Sequence, residues 1–410
     1  MTSYVMGFTS SGGIPLFSRK RGEGEALSFS KMASFNGVHM FLKSHNIELL
    51  DSKTPDTILK WKEFEETVLI IVMASGITSI ILNKFLDAVF NAMVLVVGID
   101  DIKSPRSIER LKRDLRACNA IIDRLLECLD TGDKTCMKID SVDMTSCNIY
   151  SENHLLQVCL DTYMELLDSM YGCVLIHGCL AVATENWWHL DAIERKLLIL
   201  AITTESNCIV KDLPVFLPNK SPSVAFRLVS VSLGNHVEVL SLCGPTPTLI
   251  EIERLAVQTW KSNIDVLKDV EQIFSRNFFT AITLDPGILG FFLAKHKVGK
   301  FILTRNPQQA KNRTSGNQRL ESLRTFYHHA VEIFLIEENF DNDEEKKKNC
   351  SFIEGGKETY WCSEHHKCHA LKEGDNILCV LYPSNIPAHT MRLITQKTLK
   401  AILAERHFCW

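Results

Sequence analysis

Along the chain, short apolar runs alternate with longer amphipathic stretches. Ser3 to Thr9 and Ile14 to Arg19 read as strands on either side of Ser10-Ser11-Gly12-Gly13, where glycine accepts the positive φ of a tight hairpin. From about Ser30 to Lys43, Met32, Phe35, Val38, Phe41 and Leu42 recur at helical spacing. Strands are expected over Ile47–Ser52 and Thr57–Phe64. The unbroken apolar run Thr67–Ala74 predicts a central strand. An amphipathic helix follows over Thr78–Val97, with Ile81, Phe85, Val89, Ala92 and Val96 on one face. A last helix is expected from Pro105 to Leu129, with Ser104 as its cap and proline at the first helical position.

This β-β-α-β-β-β-α order then recurs. After a helix over His154–Met170 come a hairpin about Gly178 and a helix over Ala192–Ile202. Strands follow at Val215–Leu217, Phe226–Leu233 and Val237–Leu242, then a helix over Leu249–Phe274. The last third is a weaker copy. It has strands at Ile288–His296 and Lys300–Leu303, a helix over Leu320–Ile336, a charged loop over Asp341–Lys348, a hairpin of Tyr360–Leu371 with Ile377–Tyr382, and a helix over His389–Arg406. The pattern divides the chain into units at 1–130, 152–275 and 276–410. Residues 131–151, poor in large apolar side chains, form a linker between the first two.

Composition narrows the class. The chain has 410 residues, 46% apolar content and a formal net charge of −4. That excludes a disordered or low-complexity chain and gives no whole-chain attraction to nucleic acid. Fourteen cysteines are scattered without a C-x-x-C pair, which reads as reduced thiols in a cytosolic protein. The most apolar stretch, Val68 to Ile99, is broken by Gly76, Asn83, Lys84, Asp87 and Asn91, so no membrane span is expected.

Candidate chemistry is sparse. Gly299-Lys300 is followed by Phe301, so it makes no phosphate-binding loop, and neither G-x-S-x-G nor H-E-x-x-H occurs. No cofactor is expected. Cys362-Ser363-Glu364-His365-His366-Lys367-Cys368-His369 carries zinc-ligand types. Read as one strand, it puts Cys362, His366 and Cys368 on one face and His365 and His369 on the other, too few per face for a closed metal shell. Arg106, Arg110, Lys112, Arg113 and Arg116 make a basic stretch suited to an acidic partner or to peripheral contact with lipid headgroups. The plainer reading is a solvated face with pairs such as Glu109–Arg113. Trp187-Trp188 reads as a core plug or an interface anchor.

The run Ser11-Gly12-Gly13-Ile14-Pro15-Leu16-Phe17-Ser18-Arg19 resembles the N-terminus of the Fuzzy family of planar cell polarity effectors. So do Phe35-Asn36-Gly37-Val38-His39-Met40-Phe41, Ile108 to Ala117, Ala181 to Trp188, and Leu242-Cys243-Gly244-Pro245, in matching order. The resemblance implies an α+β fold of three tandem longin domains, each a five-stranded antiparallel sheet flanked by helices. It implies an Inturned-like longin partner, a Wdpcp-like WD-repeat subunit, the CPLANE assembly at the ciliary base, and a Rab-family guanine nucleotide exchange factor whose subunits do no covalent chemistry. By that analogy the first unit carries the partner interface, through Asn36, Gly37, Val38, His39 and Phe41 and a following strand bearing Ile47 and Leu49. Gly37 in mid-helix suggests a close backbone approach. A trafficking or ciliary adaptor without exchange activity is the alternative, and a metal-dependent enzyme a third reading.

Overall fold

The computed structural model describes residues 2–129, 140–150, 153–204, 208–273, 282–306, 316–334 and 356–404. The expected charged loop over Asp341–Lys348 lies outside them. The first sheet comprises β1 (Ser3–Thr9), β2 (Pro15–Arg21), β3 (Asp51–Lys53), β4 (Thr57–Phe64) and β5 (Val68–Ser75), in the order β2-β1-β5-β4-β3. Every pairing is antiparallel. The central strands β1 and β5 are mostly apolar, with Val5, Met6 and Phe8 of β1 and Val68 to Val72 of β5 buried, because both their faces are covered. Met6, Phe8, Leu69 and Ile71 point to helix α1 (Phe29–Ser44), while Val5, Ile70 and Val72 point to α2 (Ser79–Val97).

α2 is the one helix among the described residues long and apolar enough to cross a membrane by length and composition. Here it is a core helix: Leu82, Phe85, Leu86, Val89 and Met93 are buried. It packs on the first sheet and on strand β9 (Val210–Leu217) and helix α8 (Ala192–Thr204) of the second unit. Gly98, at φ 87°, ends it, and a Cβ there would lie 3.0 Å from the Phe216 ring of β9.

The helix expected over Pro105–Leu129 is three pieces after a short α3 (Ile99–Lys103): α4 (Ile108–Asp114), a 3₁₀ turn (Leu115–Cys118) and α5 (Asn119–Leu129). Pro105 forces Ser104 away from helical backbone, and the helix begins after an extended Ser107 instead. In the 3₁₀ turn, residues three apart lie in line. Leu115 and Cys118 therefore both point inward, with the Cys118 thiol 3.6 Å from the Ala92 carbonyl oxygen.

The second sheet runs β8-β7-β11-β10-β9, from β7 (Tyr171–Ile176), β8 (Cys179–Ala183), β9, β10 (Ser221–Ser232) and β11 (Val237–Cys243). α6 (Asn153–Leu166) and α9 (Leu249–Trp260) cover one face. The single helix expected to Phe274 breaks at a 3₁₀ turn and resumes as α10 (Ile264–Ile273). A one-turn α7 (Glu185–Trp188) places the tryptophan pair. Trp187 is buried in the core, and the Trp188 ring sits between Arg195, 5.1 Å from its centroid, and Lys300 of the third unit, 4.5 Å away.

The third sheet contains β12 (Gly290–Lys295), β13 (Lys300–Arg305), β14 (Glu358–Cys362), β15 (His366–Glu373) and β16 (Asn376–Pro383). α11 (Gly316–Phe334) covers one face and α12 (Ala388–Ala404) the other. This sheet has six strands, in the order β14-β15-β16-β12-β13-β6. The extra one, β6 (Thr145–Ser146), comes from the expected linker and pairs parallel with β13. The next residue, Cys147, bridges to Leu180 on the edge of the second sheet. The described part of the linker, residues 140–150, is thus a buried strut: Val142, Met144, Cys147, Ile149 and Tyr150 are all core. Each unit sends it a cation. Lys84 of α2 meets Asp143 at 2.6 Å, Lys196 of α8 pairs with Asp140, and Arg324 of α11 donates to the Asp140 carbonyl oxygen at 3.1 Å.

Candidate functional site

Helix α1 starts behind Ser28, whose hydroxyl accepts from the Lys31 amide. Its inner side is modest. Met32 and Phe35 pack with Leu27 and Leu49 on the small cluster of Met6, Phe8, Trp61, Leu69 and Ile71, and Trp61 Nε1 donates to the Phe35 carbonyl oxygen at 3.2 Å. Asn36 and His39 are buried on this side. The β1–β2 hairpin closes against it. Gly13 has φ 62°, and a Cβ there would lie 2.2 Å from Asn36 Nδ2, so only glycine lets the turn reach the helix. Asn36 in turn contacts Met40 Sδ at 3.3 Å. The two stretches carrying much of the family resemblance therefore touch each other.

His39 lies 3.9 Å from Glu63 of β4, and neither ring nitrogen has a hydrogen-bond partner. Burial holds its pKa below the ordinary value, against the pull of Glu63. Burial alone would raise Glu63. The hydrogen bond from Lys43, at 2.6 Å, together with the charges of Lys43 and His39, outweighs it and holds the carboxyl below its usual range.

The outer side of α1 is apolar and faces water. Val38 is 50% exposed and Phe41 63%, with Met40 beside them, and Ile47 and Leu50 continue the patch past the helix end. The apolar positions expected on one face are therefore split between two: Met32 and Phe35 inward, Val38 and Phe41 outward. The strand expected over Ile47–Ser52 is shorter and later, as β3 over Asp51–Lys53. Asn46, at φ 57°, turns the chain back so that the Ile47 amide donates to Leu42 O at 3.0 Å, and pairing starts only at Asp51. Of the two residues singled out there, Ile47 is exposed and Leu49 packs on the sheet. A Cβ at Gly37 would have nothing within 4 Å, so no close approach among the described residues explains it.

The other two units show how the equivalent helix is treated. α8, which also lies between the second and third strands of its sheet, is buried at every residue from Glu194 to Ile202 and packs on α2 and α5 of the first unit. On α11, Arg324 reaches the strut and Tyr327 Oη contacts Met144 Sδ at 3.4 Å. α1 alone of the three presents a large apolar outer face among the described residues.

The basic stretch lies on and around α4. Arg106, Arg110, Arg113 and Arg116 are exposed and Lys112 is half-buried. Asp114 sits among them, paired with Arg110 at 3.5 Å and Arg113 at 3.4 Å, in place of the expected Glu109–Arg113 pair.

The cysteine–histidine run is not one strand. β14 ends at Cys362, Ser363 to His365 turn, and β15 begins at His366. Cys362 opposes Lys367 and Trp361 opposes Cys368, so Cys362 shares a face with His369 and not with Cys368. Burial pushes the Cys368 thiol up to about 12, the reverse of what a metal thiolate needs. The described residues contain no group of three or more His, Cys, Asp or Glu arranged to hold a metal ion.

Three sheets, each with a helix between its second and third strands and another after its last, define a protein of three tandem longin domains. Residues 3–125, 167–261 and 287–406 match the family models for the first, second and third longin domains of FUZ, MON1 and HPS1. The chain is 34% identical to the protein fuzzy homolog of Xenopus tropicalis over 99% of both chains. It is 31% identical to the protein fuzzy homolog of Homo sapiens over 98% of this chain and 97% of that one. The chain belongs to the Fuzzy family.

Proposed function

We propose that this chain is a planar cell polarity effector that works by assembly. It pairs through the outer face of α1 with an Inturned-like longin subunit, joins a Wdpcp-like WD-repeat subunit, and acts with them as part of a guanine nucleotide exchange factor for a Rab-family or related small GTPase. Its place of action is the cytoplasm at the ciliary base, in support of cilium assembly and vesicle trafficking. Such a subunit performs no covalent chemistry. The assembled pair binds the GTPase better without nucleotide than with it, and that difference drives release.

The observation that carries the reading is the contrast between α8 and α1. Within this chain the helix between strands two and three is covered on its outer side by apolar helices of another longin domain. α1 has the same place in its sheet and the same apolar outer side, with Val38 and Phe41 in water. A second longin subunit supplies the missing cover. The exposed arginines around α4 serve peripheral contact with an anionic membrane, each worth about 1 kcal/mol at the surface.

Nucleotide release is the test. Purified chain and Inturned-like partner, added together to a panel of GTPases loaded with fluorescent GDP, speed release from at least one member, and neither alone does so. A stable pair that accelerates none of the panel would leave the adaptor reading standing in place of this one.

A further inference from the structure

β14 ends the third sheet on the side away from β6. An edge strand offers unpaired backbone N–H and C=O groups as a template for another strand, and proteins commonly blunt such edges with lysine or proline. β14 instead reads Glu-Thr-Tyr-Trp-Cys and holds two large aromatics in water, Tyr360 at 65% and Trp361 at 47% exposure. Trp361 lies on the α11 side, its ring 6.3 Å from that of Phe326, and Tyr360 shares the other face with Glu358. Tyrosine and tryptophan are the residue types that dominate binding hot spots.

On the Tyr360 side, β14, β15 and α12 enclose a groove of about 630 Å³. Among the described residues, Lys357, Arg392 and Lys400 face it against Glu358 and Glu373, Glu358 being taken up by Arg392 at 2.9 Å, while Lys372 turns its ammonium to the Phe334 carbonyl oxygen on the other face. The surplus charge is positive. Arg392, Gln396 and Lys400 stand one helical turn apart, in steps of about 6 Å along α12. Alternate side chains of an extended peptide repeat every ~6.6 Å. A lone phosphate calls for donors converging on a point, whereas these stand in a row at the spacing of a strand.

We propose that β14 accepts an extended acidic segment of a partner protein. The segment adds to the sheet edge by main-chain hydrogen bonds and presents Asp or Glu at alternate positions to the α12 row on the Tyr360 face, while Trp361 packs on its intervening apolar side chains on the α11 face. Main-chain pairing gives the affinity and the charged row gives the selectivity.

The test uses the full chain and a fluorescent peptide of four Asp-Val repeats, read by anisotropy at low salt. The acidic peptide is expected to bind at least about tenfold tighter than its Asn-Val counterpart. A similar factor, about tenfold, is expected to be lost in Trp361→Ala, in the double variant Arg392→Gln with Lys400→Gln, and when alternate peptide nitrogens are methylated to block the ladder. Melting temperatures show that the variants are folded. Equal binding of acidic and neutral peptides would overturn the proposal. So would undiminished binding of the methylated peptide, or binding to phosphatidylserine vesicles through Arg392 and Lys400 with no peptide binding at all.

Discussion

Two glycines in the stretches that carry the family resemblance have opposite roles. Gly13 combines a left-handed backbone with contact at Asn36. Gly13→Ala is expected to cost about 1–3 kcal/mol, read by urea denaturation. Gly37 is helical with open space where its Cβ would be. Gly37→Ala is expected to stabilise the isolated chain by about 0.5–1 kcal/mol, and, if α1 receives a partner as proposed, to weaken that pairing. The turn at Gly13 was legible in the sequence as a glycine pair between two apolar runs. Its second constraint was not, since Asn36 meets it only once the helix has crossed the sheet.

At the scale of elements, α1 shows how periodicity misleads. Steps of three residues fall about 60° short of a full turn each time. A stripe running through Met32, Phe35, Val38 and Phe41 has therefore gone halfway round the helix, and a sheet contacts only part of that arc. The excess apolar positions were visible in the sequence, but which of them face the sheet was not. Val38→Asp and Phe41→Asp, both at exposed sites, are expected to shift stability by no more than about 0.5 kcal/mol. Phe35→Ala, which strips the inner face, is expected to cost about 2–3 kcal/mol by the same denaturation assay. The run from Tyr360 to Leu371 failed differently. Ser363 to His365 turn by local hydrogen bonds, with the Ser363 hydroxyl accepting from the His366 amide at 3.1 Å, and apolar content alone does not mark that turn.

The whole molecule is held by its strut. The spacing of Asp140 and Asp143 said nothing of their partners, which lie on three domains far away in sequence. The low apolar content of residues 131–151 suggested a tether instead. Burial works to raise Asp143, but Lys84 and His328 outweigh it and hold the carboxyl down at about 2. Asp143→Asn leaves the part-exposed Lys84 without its counter-charge and is expected to cost about 1–2 kcal/mol, with faster hydrogen exchange in β6 and β13. His328 of α11 faces Asp143 and is held at about 4 by burial, which outweighs that carboxylate, with the charges of Arg324 and Lys84 acting in the same direction. A histidine whose folded pKa lies below its unfolded value of about 6.5 contributes its full stability above pH 6.5 and loses it as the pH falls toward 4. Burial lowers His39 and His369 as well, with the same sign. The chain is therefore expected to be less stable at pH 5 than at pH 7.5, and His328→Gln to reduce that difference, as read from urea midpoints.

The central claim is that the outer face of α1 receives a second longin subunit. It is tested most directly by the dissociation constant of the purified chain for its Inturned-like partner, wild type against the double variant Val38→Asp with Phe41→Asp. Two charges buried in an apolar interface should weaken pairing by at least about a hundredfold, with the melting temperature of the isolated chain unchanged. An unaltered dissociation constant in the folded variant would contradict the account.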